Sequence, residues 1–186
     1  MQAAQIIQDF WDSLKDSLKE FQNPLHLPVF GTISSRQVPS LRKVVLREVN
    51  IEKRFLVFYS DYRTSKIQEL KVAPRVCWLF YEPEKERQYR VYGDTKVYHT
   101  NEVACKYWKK LSYQDQKEYH LRSTPGTTYP KDKLEIETDS QEAYQNFCVV
   151  ITQIDEVDYL ELGVEEHFRY LCTYQQQEWV GKRLVP

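Results

Sequence analysis

Glycine is scarce in this chain, with five residues in 186. The phosphate-cradling loops that depend on it are missing too. There is no GxGxxG behind a predicted strand and no GxxxxGK[ST], so a Rossmann dinucleotide site and a P-loop are both excluded. No GxSxG occurs, which removes the serine-hydrolase elbow. Four histidines, His26, His99, His120 and His167, are scattered without metal-ligand spacing, and no metal site is expected. Four cysteines, Cys77, Cys105, Cys148 and Cys172, contain no CxxC pair. Three lie in apolar surroundings such as VCWLF (76–80) and FCVVI (147–151), where free thiols bury, so disulfides are not expected and a cytoplasmic location is.

No apolar run approaches the length of a membrane span. The opening MQAAQIIQDFWDSLK carries Asp9 and Asp12 with no basic lead-in, unlike a secretion signal. An excess of one charge is also absent: 26 Lys and Arg against 27 Asp and Glu leave a net charge of −1. That balance argues against a nucleic-acid surface while leaving room for one local cationic pocket.

Aromatics, by contrast, are plentiful at 14%, fourteen of them tyrosines, a bias that favours strands over helix bundles. The length suits one domain spanning 1–186. An amphipathic helix is expected within residues 1–22, from Ile7, Phe10, Trp11, Leu14, Leu18 and Phe21 at helical spacing. Strand patterns follow at 29–34, 41–49, 54–60, 73–82 and 87–99, with NIEK (50–53) turning the second into the third. Gly93 inside the fifth suggests a bulge or a close backbone approach.

A short helix is expected over 64–71 and helical character over 101–122, with SYQD (112–115) as a capping box. Residues 122–140 read as a loop, and the tail reads as strands at 146–155, 157–162, 167–174 and from 178, with QQQ (175–177) as a hairpin turn. The sum is seven or eight mainly antiparallel strands: a mainly β (α+β) barrel with flanking helices.

Chemistry concentrates in FYSDYRTSK (58–66) and its neighbours. Arg42 and Arg47 lie on one strand. Ser60, Arg63, Thr64, Ser65 and Lys66 follow the next, and Arg87, Gln88 and Arg90 open a later one. Guanidinium, ammonium, hydroxyls and a helix N-terminus together suit a phosphate monoester. A carboxamide such as Gln88 suits a heterocycle edge, and Tyr59, Tyr62, Tyr107 and Trp108 offer flat apolar walls. A nucleotide-like ligand is the reading these residues favour; the plainer one is a solvated hairpin face over a core of aromatics.

RKVVLR (42–47), FYSDYRTSK, APRVCWLFYEPEKERQYRVYG (73–93) and the closing EWVGKRLVP, in this order and spacing, resemble the pyridoxamine 5′-phosphate oxidase-related FMN-binding split barrels. The resemblance runs from about residue 28 to the C-terminus. It implies a homodimer with FMN between subunits. Arg42 and Lys66 would hold the phosphate beside Thr64 and Ser65. The backbone of Val44, Val45 and Leu46, with Arg47, would line the flavin ring. Tyr59 and Ser60 would contact the ring and ribityl chain, Gln88 would reach from across the cleft, and Arg169 from the C-terminal HFR. Asp61 and Ser65 replace a more usual asparagine and arginine, and Arg63 stands near as a compensating cation.

The substrate side departs from the oxidases. Tyr107 keeps a phosphate-binding tyrosine, but the arginine and serine positions fall on Leu111 and Asp115. Near the C-terminus His167 keeps a histidine while its arginine neighbour falls on Glu165. The expectation is an FMN-dependent oxidoreductase with an altered pocket and a small-molecule substrate. The alternative is a non-catalytic flavin carrier, or a haem binder using His167 or His120 as axial ligand.

Overall fold

The computed structural model of the protein describes residues 3–129, 136, 139–163 and 166–186. Nine antiparallel strands form one sheet: β1 (Val29–Ile33), β2 (Pro39–Lys43), β3 (Glu48–Asn50), β4 (Phe55–Asp61), β5 (Arg75–Glu82), β6 (Arg87–His99), β7 (Phe147–Glu161), β8 (Phe168–Gln175) and β9 (Glu178–Leu184). Their order is β2-β1-β5-β6-β7-β4-β3, with β8 and β9 attached beside β7.

The long strand β7 divides the sheet. Its first half, Phe147 to Gln153, pairs with β4, and its second, Glu156 to Glu161, pairs with β8. β6 runs beside both halves, and the register slips between Tyr92 and Gly93. The cause is steric: a Cβ at Gly93 would lie 2.3 Å from the Gln153 carbonyl oxygen, so only glycine permits this approach.

Three sequence expectations change. LRKVVLREV is not one strand. Its first part joins β2 against β1, its last part forms β3 against β4, and Val44 to Arg47 bridge the two. Two expected tail strands are the single β7, whose bulge absorbs the break in pattern. Residues 140–146 form a helix, α5 (Ser140–Asn146), capped by the Asp139 carboxylate accepting from the Gln141 amide at 2.7 Å. Other residues of the expected 122–140 loop, 130–135 and 137–138, lie outside the described ones. The hairpin turn at QQQ is as expected. Gln176 and Gln177 both have positive φ, the two-residue turn that matches strand twist.

The amphipathic helix α1 (Ala3–Ser17) buries Ile6, Ile7, Phe10, Trp11 and Leu14. Phe10 packs on Phe80 and Tyr89 at 5.6 and 5.0 Å between centroids. The helix ends one turn earlier than its apolar spacing predicts. Leu18 and Lys19 close 3₁₀-type bonds to Lys15 and Asp16, and Phe21 is left exposed. The main core, around Phe30, Phe58, Trp78 and Tyr89, lies on one face of the sheet. A satellite cluster of Val57, Ala104, Trp108, Ala143, Phe147 and Val149 covers the other face of β4 and β7 under α5 and α3 (Glu102–Trp108). β4 therefore faces two environments: Leu56, Phe58 and Ser60 point one way and Val57 and Tyr59 the other.

Candidate functional site

Beyond β4 the chain turns into α2 (Ser65–Val72), with Thr64 at the N-cap. The Thr64 hydroxyl does not cap the helix; it donates to the Asp61 carbonyl at 2.7 Å. The first-turn N–H groups at Ser65 and Lys66 stand outside the helix ladder, and Ser65 is exposed. The Lys66 ammonium donates to the hydroxyls of Ser60 and Thr64 at 3.0 and 3.2 Å. It has no carboxylate partner among the described residues, and burial, followed by the nearby Arg42 charge, lowers its pKa.

Arg42 reaches the same corner from β2. Its Nη1 donates to Thr32 Oγ1 at 2.5 Å and to the Ser40 carbonyl at 2.9 Å. Its Nη2 donates to Ser40 Oγ at 2.6 Å and to Glu69 Oε2 at 3.0 Å. Arg63 adds no charge here. It forms a two-bond pair with Asp61 and donates to the carbonyls of Leu121 and Arg122.

On the opposite face of β4, Tyr59 packs against Tyr107 and Phe147 at 5.7 and 5.3 Å. The exposed Arg47 guanidinium lies 5.6 Å from the Tyr59 ring centre. Burial, then the Glu48 carboxylate, pushes the Tyr59 phenol up to about 12, so it stays protonated at neutral pH. Tyr107, on α3, is raised in the same way, by burial and then by the Glu48 carboxylate. Leu111 packs on the satellite cluster. Ser112 caps the short helix that follows, its hydroxyl accepting from the Asp115 amide at 3.1 Å. The Asp115 carboxylate accepts from that hydroxyl at 2.6 Å and not from the Ser112 amide, so half of the expected capping box forms. Between these two groups, Val44 and Leu46 are buried and donate to the Pro28 and His26 carbonyls. Val45 lies half-buried between them, and its N–H has no acceptor among the described residues.

Gln88 and Arg169 stand elsewhere. Both pair in register with Leu160, so they flank the far half of β7. Tyr59 pairs with Val149, eleven positions back along the strand. That is on the order of 35 Å of strand at ~3.3 Å per residue, measured along β7 and across its bulge. Arg169 is held there by Asp158, through Nε to Oδ1 at 3.1 Å and Nη2 to Oδ2 at 3.0 Å, and Arg90 pairs with the same carboxylate from β6. His167 is exposed just ahead of β8, and Glu165 lies outside the described residues. His120 is buried. Among the described residues no grouping of three or more His, Cys, Asp or Glu is placed to hold a metal.

Sequence reading passed over Glu69, Thr32, Ser40, Glu48 and Asp158. Glu69 carried a faint signal, three residues after Lys66 on the predicted helix. The others become visible only through register, such as Thr32 opposite Ser40 and Arg90 opposite Asp158.

Residues 8–99 match the family model for the pyridoxamine 5′-phosphate oxidase FMN-binding domain. The chain is similar to the pyridoxamine 5′-phosphate oxidase-related family, the family model spanning just under half of it. It is similar to the pyridoxine/pyridoxamine 5′-phosphate oxidase of Coxiella burnetii, 27% identical over 94% of this chain and 98% of that one. The enzyme of the same name from Leptospira interrogans is 36% identical, over 46% of this chain and 39% of the relative. Among solved structures, a pyridoxamine 5′-phosphate oxidase-related, FMN binding protein from Nostoc punctiforme superposes with a TM-score of 0.80. It is 22% identical and the match covers 96% of both chains, so the fold is that family's split barrel.

Proposed function

We propose that this chain, acting as one domain over residues 1–186, binds FMN and serves as an FMN-dependent oxidoreductase on a neutral or cationic small molecule. The observation that carries the reading is Lys66: an ammonium whose partners among the described residues are hydroxyls, beside a helix N-terminus and a guanidinium. A phosphate dianion fits that corner, since it supplies the missing counter-charge and accepts from Lys66, Ser65 and the first-turn amides. When bound, FMN supplies hydride and electron chemistry. The chain's own contribution is to anchor the phosphate, offer the Val45 N–H to the ring edge, and set the Arg47 charge where it favours a reduced, anionic ring.

Tyr107, Glu48 and Asp115 shape the substrate side. With Leu111 and Asp115 in place of an arginine and a serine, two phosphate-binding positions of the oxidases are lost, and Asp115 repels a phosphorylated substrate. Oxidation of pyridoxamine phosphate itself is therefore not the activity proposed.

The separation along β7 supports a homodimer. If Gln88 and Arg169 act on the same FMN as Lys66, they come from a second copy, and a two-fold arrangement places each end against the other's complement.

The test is the visible absorbance of the purified protein after adding FMN and gel filtration. Retained flavin, lost in an Arg42→Ala, Lys66→Ala double variant, is the expected result. No retained flavin with excess FMN overturns the reading.

A further inference from the structure

Arg42 and Lys66 share one corner, yet only one of them lacks a carboxylate. Arg42 and Glu69 have side chains 19% and 11% exposed, so their 3.0 Å pair is largely withdrawn from water. Glu69 is held in place from a second direction, because the Thr32 hydroxyl donates to the same Oε2 at 2.5 Å. The guanidinium is nearly saturated. Nη1 points at the Phe30 carbonyl, Thr32 Oγ1 and the Ser40 carbonyl, Nη2 at Ser40 Oγ and Glu69, and only Nε–H has no acceptor among the described residues. A dianion arriving beside Lys66 meets an arginine already answered by a fixed anion.

We infer that Glu69 is an internal counter-anion of the phosphate clamp, occupying Arg42 and setting how strongly the site takes a phosphorylated ligand. The inference rests on the proposed placement of the FMN phosphate at Lys66. Its physical content is direct. Carboxylate and phosphate are like charges competing for one guanidinium, in a setting where water screens them poorly. Phosphate binding then requires the Glu69 contact to loosen, or the phosphate to settle for the Nε edge and Lys66. Either way affinity for the phosphate is held below what the clamp's cations alone would give. The protein gains a site whose arginine is neutralised and ordered without ligand.

The experiment compares FMN with riboflavin, which carries the same ring and no phosphate, by quenching of flavin fluorescence on wild type, Glu69→Gln and Glu69→Ala. Glu69→Gln is nearly isosteric and still accepts from Thr32, so the fold is kept, and thermal unfolding of both variants checks this. The expected result is FMN binding tightened about tenfold in both variants, with riboflavin affinity unchanged. FMN bound by wild type but held equally or more weakly by both folded variants overturns the inference, since Glu69 would then only orient Arg42. Binding of FMN no tighter than riboflavin by wild type and both variants removes the phosphate site itself, and the inference with it.

Discussion

The two ends of β7 hold cations in opposite ways. At the near end Lys66 is half-buried among hydroxyls, with no carboxylate contact among the described residues, and Arg42 shares one with Thr32. At the far end two arginines, Arg90 and Arg169, converge on the single buried carboxylate of Asp158, and Arg87 pairs with Glu161. A desolvated ammonium without an acid is unfavourable in an isolated protein and becomes favourable when an anion arrives. The far end is internally compensated, so its job is to keep guanidinium groups in fixed positions. The near end recruits charge, whereas the far end positions it.

The largest expected effect comes from breaking the far end. Asp158→Ala leaves two arginines facing each other without their shared counter-charge and should lower stability more than Lys66→Ala or Ser112→Ala, read as a lowered denaturation midpoint. A midpoint unchanged within error would mean the arginines rotate out to water and the far end is not built on Asp158. At the near end Lys66→Ala should behave in reverse. FMN affinity falls roughly thirtyfold while stability is unchanged or slightly raised, because the lost group was a desolvated cation. A variant that unfolds more easily yet binds FMN normally would assign Lys66 to structure.

pH sharpens the same contrast. The Lys66 pKa is depressed in the folded protein, so between its folded and unfolded values the unfolded chain binds more protons. Lys66 therefore makes the cofactor-free protein more stable as pH rises through that window. FMN binding needs the protonated form and should weaken over the same rise, beginning below the ordinary lysine value of 10.5. Lys66→Arg should carry binding to higher pH; an identical fall in both proteins would place the titrating group elsewhere. The smallest effect lies on the substrate side. Ser112→Ala removes the side-chain cap of α4 (Tyr113–Gln116) and should cost about 1 kcal/mol without changing FMN affinity.

Much of this contrast was legible in the chain. The glycine-dependent bulge and the Ser112 cap follow from local rules, a lone glycine in a strand and a serine three residues before an acid; α2 was also expected, though its Thr64 hydroxyl turns away from the cap. The near end was readable because Ser60, Thr64 and Lys66 are close in sequence. The far end was not, since Arg90 meets Asp158 across 68 residues through strand register that no local pattern encodes. Glu69 was passed over for a related reason: its partners Arg42 and Thr32 come from the β1–β2 hairpin, which the sequence presented as part of a different strand pair. The fate of Arg63 was equally hidden, because its carbonyl partners at 121 and 122 lie at the end of a stretch read as helical, nearly sixty residues away.

One measurement tests the composite site most directly. Lys66→Ala chains, broken at the near end, are unfolded and refolded together with Gln88→Ala, Arg169→Ala chains, broken at the far end, and retained flavin is counted after gel filtration. If one copy's clamp works with the other copy's far end, random pairing makes half the dimers mixed and one site in each mixed dimer intact. Flavin should then return to about a quarter of the wild-type level, although neither variant retains it alone. No recovery from well-folded mixed dimers would contradict the account, placing both ends of the site within a single chain or leaving the far end outside it.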